Sequence, residues 1–156
     1  MEQRMVLEIY ERYRHSLYRI CLFYMKHEAD ALDAMQNTLL KLLESDRVFD
    51  GEEHVRNWLF RVAANECKTM LAGWWRQHLD ISEYSIPVMD QAEHYVEHQA
   101  MIDSLMNLPK KCRVVLYLYY YEAYSTVEIA SILGMKETAV RAQLARGRKR
   151  LKKEFE

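Results

Sequence analysis

The chain has 156 residues, half of them hydrophobic and 29% charged, so it can bury a core and is not mainly disordered. With only four Gly and two Pro, its composition favours an all-α fold over a turn-rich β fold. Three scattered cysteines without a C-x-x-C pair argue against a disulfide framework or a zinc cluster. No cofactor or metal site is expected.

Hydrophobic patterning gives no sign of a membrane segment. The longest unbroken apolar run, Val114 to Tyr121, has eight residues, and a membrane span needs about 20. Glu2, Arg4 and Glu8 lie among the apolar residues of the first ten positions, so we expect no signal peptide there. We therefore expect a cytoplasmic protein that does not insert into membranes.

Charge is distributed unevenly along the chain although the net charge is only −1. Residues 1–108 carry 11 Lys and Arg against 18 Asp and Glu, whereas residues 109–156 carry 11 against 5. Opposite signs on the two parts predict two modules with different partners, the basic one suited to phosphates. On charge alone, a basic helix on a solvated face remains an equal alternative.

Apolar residues recur at steps of three and four, which predicts amphipathic helices along most of the chain. The predicted helices lie near residues 6–24, 32–43, 55–70, 95–106, 110–122, 126–133 and 137–153. The periodicity is lost from Gly73 to Asp90, a stretch that contains Pro87. We expect two small helical domains, at residues 1–76 and 92–156, joined by a linker at 77–91.

The segment from Ser125 to Arg141 has the layout of a helix-turn-helix. Ser125 and Glu128 have the spacing of a capping box, and Gly134 can adopt the positive φ that ends the first helix. The second helix is rich in Arg and Lys, as a helix in a DNA major groove requires. The pattern favours DNA binding over an αα-hairpin with a solvated basic end.

Three segments in order resemble the extracytoplasmic-function group of the sigma-70 family of bacterial RNA polymerase sigma factors. The first is D-A-M-Q-N-T-L at residues 33–39, similar to that group's core-binding motif. The second is W-L-F-R-V-A-A-N-E-C-K at 58–68, similar to its promoter-melting helix. The third combines L-P-K-K-C-R-V-V-L at 108–116 with the helix-turn-helix and its R-G-R-K-R-L ending.

The resemblance implies a dissociable specificity subunit with no catalytic activity of its own. Its first domain would bind the clamp helices of bacterial core RNA polymerase and open the minus-10 region of promoter DNA. Its second domain would read the minus-35 element and touch the polymerase flap. An anti-sigma factor is a further partner of the kind that the family allows.

The same resemblance assigns candidate residues to each contact. The core-binding residues are Asp33, Gln36, Asn37 and Lys41. The minus-10 residues are Phe49, Asn65, Lys68, Trp74 and Arg76. The minus-35 residues are Lys136, Thr138, Arg141, Ala142, Gln143, Ala145, Arg146 and Lys149.

Several aromatic residues have more than one interpretation. Trp58 is assigned mainly to the core, because a buried indole is a large packing unit. Phe49 fits a core position as well as a base contact. The tyrosines between residues 117 and 124 cover every face of their helix, so some must be buried and some exposed. The exposed ones would meet the polymerase flap or the chain's own first module.

Two other functions compete with the sigma-factor reading. His94, Glu97 and His98 spell H-x-x-E-H, the ligand order of inverted zincins, but a third ligand and a cleft would also be needed for zinc hydrolysis. A stand-alone helix-turn-helix regulator would share the DNA-binding half and would bind a palindrome as a dimer. The matches around Asp33 and Asn65 argue against such a regulator.

Overall fold

The computed structural model describes residues 2–75 and 99–154, apart from the side chains at 74, 75, 99–101 and 154. The regular elements in these ranges are helical, which confirms the predicted all-α fold. The chain divides into two compact units, Met1–Glu83 and Tyr84–Glu156. In the described part of the chain, no helix has the length and apolar character needed to cross a membrane.

The described part of the first unit, residues 2–75, forms three helices that pack against one another: α1 (Gln3–Met25), α2 (Glu28–Glu44) and α3 (Glu52–Trp75). The second half of α1 is buried, whereas its first half is largely exposed. The core draws on all three helices, and its fully buried side chains include Leu17, Ile20, Leu42, Leu59 and Phe60.

The three cysteines are free thiols in the two cores. Cys21 of α1 and Cys67 of α3 are both completely buried. A hydrogen bond with Cys67, together with burial, raises the pKa of the Cys21 thiol well above its ordinary value. Cys112 is buried in the second unit. Among the residues described, no group of His, Cys, Asp and Glu is arranged to hold a metal ion.

The described part of the second unit, residues 99–154, forms four α-helices: α4 (Gln99–Met106), α5 (Lys110–Leu116), α6 (Thr126–Leu133) and α7 (Glu137–Glu154). A π-helical turn, Tyr117–Tyr121, continues α5. The most extensive packing is between α5 and α7, and α6 packs on α7. The fully buried side chains of this core include Met106, Leu116, Leu118, Ile129 and Ile132.

The helix-turn-helix has the local structure that its sequence predicts. The Ser125 hydroxyl accepts a hydrogen bond from the Glu128 N–H at 3.1 Å, and Glu128 Oε1 accepts one from the Ser125 N–H at 3.0 Å. Gly134 ends α6 with φ of 64°. Ile129, Leu133, Val140 and Leu144 are buried where the two helices pack together.

Two elements differ from the predicted ones. First, α3 continues through Gly73 to Trp75 instead of ending near Met70. An exposed helical Gly costs only about 1 kcal/mol relative to Ala, which the rest of the helix can offset. Second, the helix predicted over 110–122 changes to the π-helical turn at Tyr117. As expected, some tyrosines of this run are buried (Tyr117 and Tyr124) and others exposed (Tyr120 and Tyr121).

Candidate nucleic-acid interface

One side of α7 is exposed along its whole length. Its residues recur at steps of three and one, which places them on a single face of the helix. Opposite them, Val140, Leu144 and Gly147 are buried. We call this face the α7 stripe; it consists of Thr138, Arg141, Ala142, Ala145, Arg146 and Lys149. Six of the eight predicted minus-35 residues are therefore brought together, and Lys136 is exposed just before the helix begins.

Arg141 is held at the start of the α7 stripe by a short chain of polar contacts. Glu137, in the first turn of α7, accepts a hydrogen bond from the Thr126 hydroxyl at 3.0 Å and forms an ion pair with Arg141. The carboxylate also lies where the helix dipole favours negative charge. These contacts tie α6 to α7 and orient the Arg141 guanidinium.

Gln143 lies away from the α7 stripe. It is half-buried, and its Oε1 accepts a hydrogen bond from the Cys112 thiol of α5 at 3.0 Å. Its side chain therefore takes part in packing α7 against α5. The other seven predicted minus-35 residues are exposed.

A second stripe follows α3. His54, Trp58, Arg61, Asn65 and Lys68 recur at steps of four and three, so they lie on one face of the helix. Arg61, Asn65 and Lys68 are exposed, and we call these three the α3 stripe. A cation, an amide and a second cation in line can contact both phosphates and base edges.

The loop before α3 is fastened to the beginning of that face. The Phe49 ring forms T-shaped contacts with His54, with ring centroids 5.3 Å apart, and with Trp58, with centroids 5.6 Å apart. The Asp50 N–H donates a hydrogen bond to His54 Nδ1 at 2.9 Å. Phe49 is half-buried, and Trp58 is half-buried beneath it, so both rings hold the loop in place.

Trp74 and Arg76 fall at the end of the described range. The backbone of Trp74 belongs to the last turn of α3, and its side chain is outside the described part. Arg76 lies outside the described residues. His94, Glu97 and His98 of the zincin-like pattern are also outside them.

The predicted polymerase contact lies on an exposed face of α2. Asp33 and Gln36 are exposed, Asn37 is half-buried, and Leu40, one turn further along the helix, is 48% exposed. We call these four residues the α2 face. The pKa of the nearby Asp30 carboxyl is raised, chiefly by burial; His27 opposes this and Asp33 adds to it.

Lys41 has a structural contact that the sequence did not reveal. Its ammonium group forms an ion pair with Glu66 of α3, whose side chain is only 11% exposed. The pair therefore joins α2 to α3 beside the α2 face. A buried carboxylate needs such a partner, because an isolated charge in the interior is costly.

Two descriptions of known protein families match this chain. The description "Sigma-70 region 2" matches residues 9–77, and "Sigma-70, region 4" matches residues 98–151. A sigma factor of Bacillus subtilis, "ECF RNA polymerase sigma factor SigM", is 30% identical over 93% of this chain and 91% of its own. The chain belongs to the extracytoplasmic-function group of the sigma-70 family.

This sigma factor has relatives in other bacteria. The Mycobacterium tuberculosis "ECF RNA polymerase sigma factor SigM" is 27% identical to it over 92% of this chain and 74% of the relative. As a member of the group, the protein is an RNA polymerase sigma factor that directs core polymerase to promoters and initiates transcription. Sigma factors are initiation factors, and the polymerase carries out the chemistry.

Solved structures share the fold of this sigma factor. The sigma factor RpoE of Bartonella quintana, solved in complex with the anti-sigma factor NepR, matches with a TM-score of 0.75 and 20% identity, covering 97% of this chain and 94% of its own. CnrH, solved in complex with the cytosolic domain of CnrY, matches with a TM-score of 0.66 and 22% identity, covering 99% and 89%.

Sequence reasoning left several residues of these surfaces out. Arg61 completes the α3 stripe, and its step of four from Asn65 was visible in the sequence. His54 holds the loop through a contact that spacing alone does not show. Arg148 donates a hydrogen bond to the exposed Tyr120, 28 residues away in the sequence, and only the folded chain reveals this contact.

Proposed function

We propose that the α7 stripe reads the minus-35 element of the promoter. The observation that carries this proposal is the one-sided exposure of α7, with polar and basic side chains on one face and buried apolar side chains on the other. The helix has seven Lys and Arg against two Glu, which suits the DNA backbone. Arg141 and Arg146 supply the donors for base edges, and Ala142 and Ala145 allow close approach or contact a thymine methyl.

The minus-10 region is contacted, in this proposal, by the α3 stripe and the adjoining loop. Asn65 is placed two turns from Trp58, and an amide can pair with a base edge. Arg61 and Lys68 flank it and neutralise phosphates. The fastened loop from Val48 to Gly51 adds an edge against which an unstacked base can rest.

The α2 face binds the clamp helices of core polymerase, and the second unit also touches the flap. Leu40 supplies apolar area between polar neighbours, the usual composition of a non-obligate interface. The proposal keeps the domain division expected from the sequence: a region 2-like domain at 1–76, a linker at 77–91 and a region 4-like domain at 92–156. The protein acts in the cytoplasm without an enzymatic step, and an anti-sigma factor is a further partner.

Polymerase binding is tested by gel filtration of the protein with core RNA polymerase. We expect co-elution at about one to one, weakened by Asp33→Arg and by Gln36→Ala. Glu11→Arg is the matched control, because Glu11 is an exposed acid on α1. The proposal would be contradicted if Glu11→Arg also weakened co-elution, or if the native chain did not co-elute with core polymerase. Either result would favour a stand-alone regulator.

Promoter reading is tested with the complex of this protein and core RNA polymerase, the holoenzyme, and a promoter duplex. Arg146→Ala should weaken binding by about 1–3 kcal/mol, the usual cost of one lost base contact. Lys111→Ala serves as the control because Lys111 is an exposed cation on α5. Equal losses for the two variants would show a general charge effect and count against recognition by the α7 stripe.

A further inference from the structure

Arg148 is held by two tyrosines of the π-helical turn. Its Nε–H donates a hydrogen bond to the Tyr120 hydroxyl at 2.5 Å. The guanidinium carbon lies 5.5 Å from the ring centroid of Tyr119 and 5.5 Å from that of Tyr120. The two tyrosine rings meet edge to face, with their centroids 5.0 Å apart and an angle of 82° between the ring planes. We call these three residues the tyrosine–arginine cluster.

The cluster borders the α7 stripe. Arg148 follows Ala145 by three residues and Arg141 by seven, so it lies at the edge of that exposed face nearest to the π-helical turn. Tyr120 is 60% exposed, a large fraction for an aromatic side chain. Arg148 is also exposed and Tyr119 is half-buried, whereas their neighbours Tyr117 and Leu118 are buried in the core.

The arrangement fixes a charged side chain that is normally flexible. A hydrogen bond to one nitrogen and two cation–π contacts restrict the guanidinium to one orientation. Because Nε is used by Tyr120, the two terminal amino groups are the remaining donors for a ligand. The same contact with Tyr120 raises the pKa of Arg148.

A ligand for this cluster must be an anion with several acceptor oxygens. Two parallel N–H groups of one guanidinium match a phosphate, which accepts bidentate hydrogen bonds from arginine. The surroundings are basic, with Arg141, Lys149 and Lys152 on the same side of α7. Duplex DNA supplies a row of such phosphates next to the groove that a recognition helix enters.

We propose that Tyr119, Tyr120 and Arg148 form a preorganised clamp for a backbone phosphate of the promoter duplex at the edge of the minus-35 contact. The inference rests on the proposed reading of DNA by the α7 stripe and extends the contact surface to the π-helical turn. Arg148 is the phosphate ligand. Tyr119 and Tyr120 are positioning residues, because they act mainly by ordering the guanidinium before DNA arrives.

The test measures holoenzyme binding to a promoter duplex over a range of salt concentrations. Arg148→Ala should weaken binding about eightfold at 0.1 M salt and lower the salt slope by about 0.9, as expected for one lost phosphate contact. Tyr120→Phe should weaken binding several-fold while leaving thermal stability unchanged. Because Tyr120 acts through Arg148, Tyr120→Phe should have no further effect in an Arg148→Ala background.

Arg150→Ala is the matched control, because Arg150 is exposed two residues further along α7 and faces away from the cluster. Its effect should add fully to that of Tyr120→Phe. Additive effects of Tyr120→Phe and Arg148→Ala would overturn the clamp. If Arg148→Ala weakens binding to core polymerase and leaves DNA affinity unchanged, the clamp is overturned and the cluster instead binds an acidic protein partner.

Arg146→Ala separates failure of this inference from failure of the proposed function. If Arg146→Ala weakens DNA binding and the Arg148 and Tyr120 variants do not, only the clamp is overturned. If none of the three variants weakens binding, recognition of the minus-35 element by the α7 stripe is overturned together with the clamp.

Discussion

Gly147 of α7 lies directly against Leu116 of α5. A Cβ atom added at Gly147 would overlap Leu116 Cδ1 and stand 3.0 Å from Leu116 Cγ. Leu116 is almost completely buried, so it has little room to move away. The closest approach of these two helices therefore depends on the missing side chain.

Gly147→Ala should destabilise the protein by about 1–3 kcal/mol, because overpacking a filled core forces side chains or backbone to shift. This loss exceeds the gain of about 1 kcal/mol that Ala brings to a helix interior. Gly73→Ala is the control: it lies in α3 with open space around it, so it should be stabilising. Urea unfolding of both variants checks the opposite signs.

The Lys41–Glu66 ion pair should contribute to stability although Lys41 is 57% exposed. Lys41→Met leaves the nearly buried Glu66 carboxylate without this partner, and solvent screening limits the cost to about 1 kcal/mol. A double-mutant cycle with Glu66→Gln measures the coupling. Arg4→Ala removes the far more exposed Arg4–Glu8 pair and should change the unfolding midpoint much less.

His54 should act on promoter opening by fixing the loop. His54→Ala removes both the ring that contacts Phe49 and the acceptor for the Asp50 N–H, and one such hydrogen bond is worth about 1 kcal/mol. We expect a several-fold decrease in open-complex formation, measured by reactivity of unpaired thymines. Glu53→Ala, at an exposed neighbouring position, should leave it unchanged. Equal rates for His54→Ala and the native protein would refute this role.

Asp30 should make stability depend on pH. Since burial raises the pKa of its carboxyl in the folded protein, folding favours the protonated form. This stabilisation is present below the unfolded-state pKa and is lost as pH rises through the folded-state pKa. Asp30→Asn should therefore stabilise the protein at pH 7, by less than about 1 kcal/mol given the exposure of the group, and the gain should shrink near pH 3.

Urea unfolding at both pH values checks the Asp30 prediction. Asp46→Asn is its control, because Asp46 is exposed in the loop after α2. A gain for Asp30→Asn that is equal at both pH values would mean that burial of the charge is not its cause.

Local features of the fold could be predicted from the sequence, and tertiary contacts could not. The Ser125–Glu128 capping box and the turn at Gly134 depend on residues three to nine positions apart, so their signals are contiguous. The same holds for the spacing that defines the α7 stripe. By contrast, nothing near Gly147 in the sequence shows that a glycine is needed there. The side chain that requires it belongs to Leu116, 31 residues away.

The assignment of individual site residues shows the same limit. Gln143 fits a base contact by position, but its amide is engaged by Cys112 from another helix. Lys41 fits a polymerase contact, but it pairs with Glu66 of α3. Phe49 had two interpretations because its neighbours in space, His54 and Trp58, decide its burial. A face can be read from periodicity, whereas the partner of a given side chain depends on how the helices pack.

The buried thiols make this chain convenient for site-specific labelling. Cys21, Cys67 and Cys112 are enclosed in the two cores, and the raised pKa of Cys21 further suppresses its thiolate. A maleimide dye should therefore react slowly with the native protein and rapidly with a Val48→Cys variant, since Val48 is 91% exposed. Such a probe would sit beside Phe49 and report loop movement without removal of any native cysteine.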